Sequence, residues 1–138
     1  MEFRKTNILQ LNLKKEQAQN LSPKSKIKQM LKQKDVLAFN IYDNDTLIGF
    51  AMLKEFDKNK FFLWDYIIEY NYQNKGFGTM ALKELINLLK TKYNCKIITT
   101  TYKFGNLPAK RLYEKLGFIE TSIVDTKEVH EINMMLQL

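Results

Sequence analysis

Phe61-Phe62-Leu63-Trp64-Asp65-Tyr66-Ile67-Ile68, followed after four residues by Gln73-Asn74-Lys75-Gly76-Phe77-Gly78, is the stretch on which the fold of this 138-residue chain turns. The first part is an apolar run of strand length. After Gly78, Leu82, Leu85, Ile86 and Leu89 fall at i, i+3, i+4 and i+7, the period of a helix with one buried face, so a helix reaching Lys92 starts within a residue of the second glycine. The glycine turn therefore sits at a helix N-terminus, where unpaired backbone N–H groups and the positive end of the helix dipole attract anions. Two glycines one residue apart let the backbone curl its N–H groups into one concavity, with no Cβ to keep a phosphate away, and Lys75 adds a cation. A tight turn that merely starts a helix has the same spacing, so the surroundings must decide.

Upstream, Val36 to Tyr42 and Thr46 to Phe56 read as strands joined by the turn-forming triplet Asp43-Asn44-Asp45, and Asp57-Lys58-Asn59-Lys60 turns the chain into Phe61 to Glu69. Downstream, Lys96 to Tyr102 is a strand rich in Ile and Thr, and the helical crossover makes it a parallel neighbour of the Phe61 strand. Asn106 can cap a second helix whose apolar residues Ala109, Leu112, Tyr113 and Leu116 repeat the i, i+3, i+4, i+7 spacing, with Gly117 as its C-terminal stop. Phe118 to Val124 and Val129 to Leu138 close the chain as a hairpin around Thr126-Lys127. Near the start, Leu9, Leu11 and Leu13 alternate as in a strand, while Lys14 to Asn20 has no strand character, so a strand or a short helix before it fits. Ser22-Pro23 reads as an N-cap with proline at the first helical position, ahead of a small surface helix carrying Ile27, Met30 and Leu31. These elements predict an α/β (α+β) domain over residues 1–138, a mixed, mostly antiparallel sheet of six to seven strands with helices on both faces.

Composition narrows the function classes. Hydrophobic residues make up 45% and charged residues 27%, and no apolar run approaches the ~18 residues that would cross a bilayer. The charged start Met1-Glu2-Phe3-Arg4-Lys5 lacks a signal-peptide core, which leads us to expect a cytoplasmic protein. Cys95 and His130 are the only residues of their kinds, so neither an internal disulfide nor a Cys/His metal cluster can form, and no metal is expected. A net charge of +7 permits nucleic acid, anionic membrane or a phosphorylated cofactor. The lysines are spread out except at Lys24, Lys26, Lys28, Lys32 and Lys34, where helical spacing indicates a solvated face.

Gln73-x-x-Gly76-x-Gly78 at a strand-to-helix turn, followed by Asn106-x-x-Ala109-x-x-Leu112-Tyr113-x-x-Leu116-Gly117-Phe118, resembles the paired signatures of the GNAT N-acetyltransferase superfamily. The resemblance runs from about Leu47 to Phe118, extends into the closing hairpin and is weak before Asp35. Gly49-Phe50-Ala51-Met52, Tyr93-Asn94-Cys95-Lys96 and Leu112 to Phe118 most resemble bacterial spermine/spermidine acetyltransferases.

That resemblance implies acetyl-CoA as co-substrate. Its pyrophosphate would lie on Gln73, Asn74, Lys75, Gly76, Phe77, Gly78 and Thr79. Its pantetheine arm would lie in the gap between the two parallel strands, on main-chain groups of Ile67 and Ile68. Asn106 would hydrogen-bond the arm, and Lys110 could approach the phosphates. Tyr113 would hand a proton to the departing sulfur; its alternative is a core tyrosine. In polyamine enzymes of the family, an acidic residue commonly stands where this chain has Trp64. Asp65 is adjacent, but one residue along a strand points the other way unless a bulge intervenes. Tyr66, Glu69 and a chain of waters are further candidates for the base, and a solvated or salt-bridged Asp65 is the alternative to a catalytic one. The expected activity is acetyl transfer from acetyl-CoA to a primary amine, first a small polyamine, with aminoglycosides, amino acids and protein amines behind it. A non-catalytic acyl-CoA sensor is the competing class, and nucleic-acid binding rests on net charge alone. No nucleic-acid or membrane partner is expected, and a homodimer is left open.

Overall fold

Among the described residues of the computed structural model, 1–19 and 21–138, seven strands form one sheet: β1 (Glu2–Lys5), β2 (Val36–Asp43), β3 (Thr46–Asp57), β4 (Lys60–Ile68), β5 (Ile97–Lys103), β6 (Ile119–Asp125) and β7 (His130–Gln137). Their order is β1-β2-β3-β4-β5-β7-β6, and each neighbouring pair is antiparallel except β4 with β5. The helices are α1 (Lys15–Ala18), α2 (Lys24–Met30), α3 (Phe77–Lys92) and α4 (Leu107–Lys115). No described helix is long and apolar enough to cross a membrane.

Local chemistry accounts for most of these boundaries. Asn44 and Asp45 take φ of 48° and 65°, the pair of left-handed conformations that gives a two-residue turn the twist of its flanking strands. Asn106 Oδ1 accepts from the Ala109 N–H at 3.3 Å and so caps α4, as its position predicts. The mixed sheet with helices on both faces matches the expected architecture. α3 and α4 bury Leu82, Leu85, Leu89 and Tyr113 against Phe61 and Leu63 on one face. On the other, Leu11, Ile27 and Met30 cover Phe50 and Met52.

The N-terminal region differs from its reading. The strand is β1, and Leu9, Leu11 and Leu13 lie in irregular chain. That chain packs on the face of the sheet, so its alternation serves burial rather than edge pairing. The short helix, α1, falls inside the Lys14 to Asn20 stretch, whose last residue, Asn20, lies outside the described residues. Ser22 is not the cap of α2: Pro23 holds the N-cap position without a side-chain bond, and the Ser22 N–H goes to the Asp65 carboxylate.

β4 carries the irregularity that matters most. Leu63 pairs with Leu53 and Asp65 with Met52, which leaves Trp64 as an extra residue with no partner on β3. Such a bulge suspends the alternation of faces. Trp64 packs on the α2 side of the sheet, and Asp65, opposite Met52, faces that same side.

Candidate active site

β4 and β5 part along their length. They are bonded only from Lys60 to Leu63 against Ile97 to Thr100, although β4 stays paired with β3 as far as Ile68 and β5 with β7 as far as Lys103. Beyond Leu63 and Thr100 the two strands turn unpaired edges toward each other across a fork. The buried Thr100 hydroxyl closes its apex by donating to the Leu63 carbonyl at 3.1 Å. A cleft of about 800 Å³ occupies the fork and reaches both faces of the sheet.

At its α3 end, Gly76 adopts φ of 83° and serves as N-cap. The first helical bond runs from the Met80 N–H to the Gly76 carbonyl, so the N–H groups of Phe77, Gly78 and Thr79 precede any intrahelical partner. A Cβ at Gly76 would meet nothing within 4 Å, and one at Gly78 only Ile68 Cγ1 at 3.7 Å. Tyr66 fixes this turn to β4 by donating its hydroxyl to the Gly78 carbonyl at 2.6 Å. Free N–H groups, open glycine backbone and two unpaired strand edges form a donor set that fits a phosphorylated, peptide-like arm such as that of CoA.

Ten of the predicted residues line the cleft: Asp65, Ile67 and Ile68 from β4; Gln73, Asn74, Gly76, Gly78 and Thr79 from the turn; Asn106 and Tyr113 from α4 and its cap. Three stand apart from it. Lys75 is an exposed residue of the turn, and Phe77 stacks edge-on against Tyr72 with ring centroids 5.9 Å apart. Lys110 directs its ammonium to Glu114 at 3.8 Å and Glu120 at 3.9 Å. Of the other base candidates, Tyr66 is committed to Gly78 and burial raises its pKa, while Glu69 accepts from the Asn71 backbone and side chain.

Asp65 is 4% exposed. Its Oδ1 accepts from the Ser22 N–H at 2.9 Å, and its buried Oδ2 has no partner among the described residues. Burial raises its pKa above the usual carboxylate range, opposed by the Ser22 hydrogen bond and by the charges of Lys103 and Lys26. Tyr113 is buried against Phe118, with ring centroids 5.3 Å apart. Burial raises its pKa too, the Thr100 hydroxyl opposes the rise, and the nearby Asp65 charge adds to it. The cleft thus holds a carboxylate whose neutral form burial favours and a phenol whose neutral form burial favours, in reach of each other's field.

Sequence reasoning missed the strap that crosses the fork. Gln17, buried on α1, donates its side-chain amide to the Ile68 carbonyl at 2.8 Å, where Gln73 also donates at 2.9 Å. Ser22 binds Asp65 on β4, and Lys103 Nζ on β5 donates to the Gln19 carbonyl. Gln17, Gln19 and Ser22 are therefore fastened to one wall or the other. Their contacts join residues 51, 43 and 84 positions apart, beyond any local pattern.

Residues 7–118 match the family model described as Acetyltransferase (GNAT) family. A spermine/spermidine N(1)-acetyltransferase of Bacillus subtilis (strain 168) is 36% identical over 85 residues, covering 56% of this chain and 56% of that protein, so the chain matches about half the length of this relative. Among solved structures, a spermidine N-acetyltransferase from Vibrio cholerae in complex with CoA and spermine superposes with a TM-score of 0.69 at 20% identity, over 82% of this chain and 72% of that one. The ribosomal-protein-S18-alanine N-acetyltransferase of Escherichia coli does so with a TM-score of 0.70 at 24% identity, over 84% and 77%. Nearly equal likeness to two proteins named for different acceptors speaks for the fold alone.

Proposed function

Since this chain belongs to the GNAT acetyltransferase family, we propose that it transfers an acetyl group from acetyl-CoA to a primary amine, and that its acceptor is a polyamine. The carrying observation is the fork between β4 and β5, whose cleft is lined by the glycine turn, Asp65 and Tyr113.

The pyrophosphate of the co-substrate binds the free N–H groups at the start of α3. Its pantetheine arm lies against the β4 edge near Ile67 and Ile68, where Gln17 and Gln73 already hold the Ile68 carbonyl, and Asn106 bonds it from the other wall. Asp65 Oδ2 takes a proton from the incoming ammonium, since an amine with pKa near ~10.4 is almost wholly charged at neutral pH and cannot attack. The neutral amine then attacks the thioester, the C–S bond breaks, the Tyr113 hydroxyl gives its proton to the departing thiolate, and the proton shed by the acetylated nitrogen restores the Tyr113 phenol. A raised pKa suits Asp65 to receive a proton, and keeps Tyr113 protonated until a thiolate forms beside it.

The polyamine assignment draws on the 36% identical relative and on the lining of the cleft. Glu16, Asp65 and Glu131 line it against Lys26 and Lys103, a local surplus of one carboxylate in a chain of net charge +7. A less polar amine is the second reading, favoured by Trp64 and Phe62, which form an aromatic wall with ring centroids 6.1 Å apart. Thiol release from acetyl-CoA with polyamines, aminoglycosides, amino acids and peptides as acceptors tests both. Release with spermidine or spermine supports the first reading, and release with peptides alone overturns it.

A further inference from the structure

Glu131 stands on β7 directly across from Lys103 of β5, and both side chains line the cleft. Opposite charges on facing positions of neighbouring strands ordinarily pair. Here they do not: Lys103 Nζ is engaged by the Gln19 carbonyl of the strap, and the Glu131 carboxylate has no hydrogen bond or ion pair among the described residues. Three carboxylates line the cleft, Glu16, Asp65 and Glu131, and none is in an ion pair among the described residues; Asp65 is 4% exposed with its buried Oδ2 unpartnered, and Glu131 lies on the β5–β7 side of the fork. A buried acceptor oxygen without a donor is costly, so a ligand that brings an N–H to it is favoured.

We propose that Glu131 holds a second ammonium of the acceptor whose reacting amine sits at Asp65, and so sets a preference for long polyamines over monoamines. The inference rests on the acetyltransferase reading above and names the residue that selects the substrate. Between β4 and β7 lie β5 and the open fork, two to three interstrand spacings of about 4.8 Å each. A triamine reaches that far, whereas a fully extended four-carbon diamine does not. The strap is what leaves the carboxylate available, because Lys103 released from Gln19 would neutralise it.

Steady-state thiol release with spermidine, 1,4-diaminobutane and n-butylamine, on the wild type and on Glu131→Gln and Glu131→Asp, tests the proposal. The wild type should prefer spermidine over the other two. Glu131→Gln should raise KM for spermidine and lower its kcat/KM, relative to that for n-butylamine, about tenfold. Glu131→Asp should restore part of that ratio, and KM for acetyl-CoA should hold. A ratio unchanged by Glu131→Gln, or a parallel fall with all amines together with a lower Tm, overturns the role of Glu131 while leaving acetyl transfer intact. Equal rates with spermidine and n-butylamine in the wild type do the same. If no amine of the wider acceptor panel releases thiol, the acetyltransferase reading itself fails and this proposal goes with it.

Discussion

At the scale of single residues, Asp65 and Tyr113 carry the proposed chemistry at opposite costs. Burial raises the Asp65 pKa, so its charged form weakens the fold. With the folded pKa above the unfolded value of ~3.9, the stability this group provides is fully present below about pH 4 and is lost as pH rises through the folded pKa. Asp65→Asn keeps an oxygen for the Ser22 N–H and removes that loss. Its Tm relative to the wild type should therefore be higher at pH 7 than at pH 3.5, while acetyl transfer falls on the order of 10²-fold. A Tm difference that does not change with pH, from thermal melts at both values, counts against a desolvated carboxylate. Tyr113→Phe keeps the packing on Phe118 and removes only the hydroxyl. It should lower kcat on the order of 10²-fold with KM for acetyl-CoA little changed, the pattern of a group acting on the leaving thiolate. Turnover within a few-fold of wild type, with a lowered Tm, would mark it as a core residue only.

At the scale of elements, the α3 N-terminus separates stability from ligand binding. Gly76 holds φ of 83°, so a β-branched residue there strains the backbone by roughly 1–2 kcal/mol even though the space around its Cβ is open. Gly78, inside α3 and without a positive φ, has room for a methyl group beside Ile68. Gly78→Ala should raise stability by about 0.5–1 kcal/mol through helix propensity, yet weaken CoA binding because the new Cβ stands where the phosphate approaches. Denaturant melts and titration calorimetry read the two effects separately. A variant that is more stable and binds CoA as before would remove the glycine turn from the phosphate site.

Over the whole molecule, the net charge of +7 favours a polyanionic co-substrate and repels a polycationic acceptor. Raising ionic strength from 0.05 to 0.3 M should weaken CoA binding several-fold, since screening shortens the reach of the exposed lysines. KM for spermidine should respond less, because its carboxylates line a cleft rather than the open surface. Calorimetry with CoA and initial rates with spermidine at matched salts check the contrast, and an equal response of both would place the acceptor on the exposed surface.

The meander, the glycine turn, α3, α4 and the closing hairpin were legible in the residues alone, because apolar periodicity and turn chemistry act within a dozen positions. The same local signals carried the family signatures, and with them Tyr113, Asn106 and the Gln73 to Gly78 turn. They stopped short at β1, four residues long, and at Leu9 to Leu13, whose alternation suited a sheet face as well as a sheet edge. Lys110 showed the same gap, since its pairing with Glu120 depends on where that residue arrives from β6. The face that Asp65 takes, the fork, the strap through Gln17, Ser22 and Lys103, and the unpaired Glu131 carboxylate belonged to the tertiary structure. Propensity is indifferent to which of two adjacent strand residues is left out of the pairing, and a hydrogen bond across 43 or 84 positions exists only once packing has brought its two ends together.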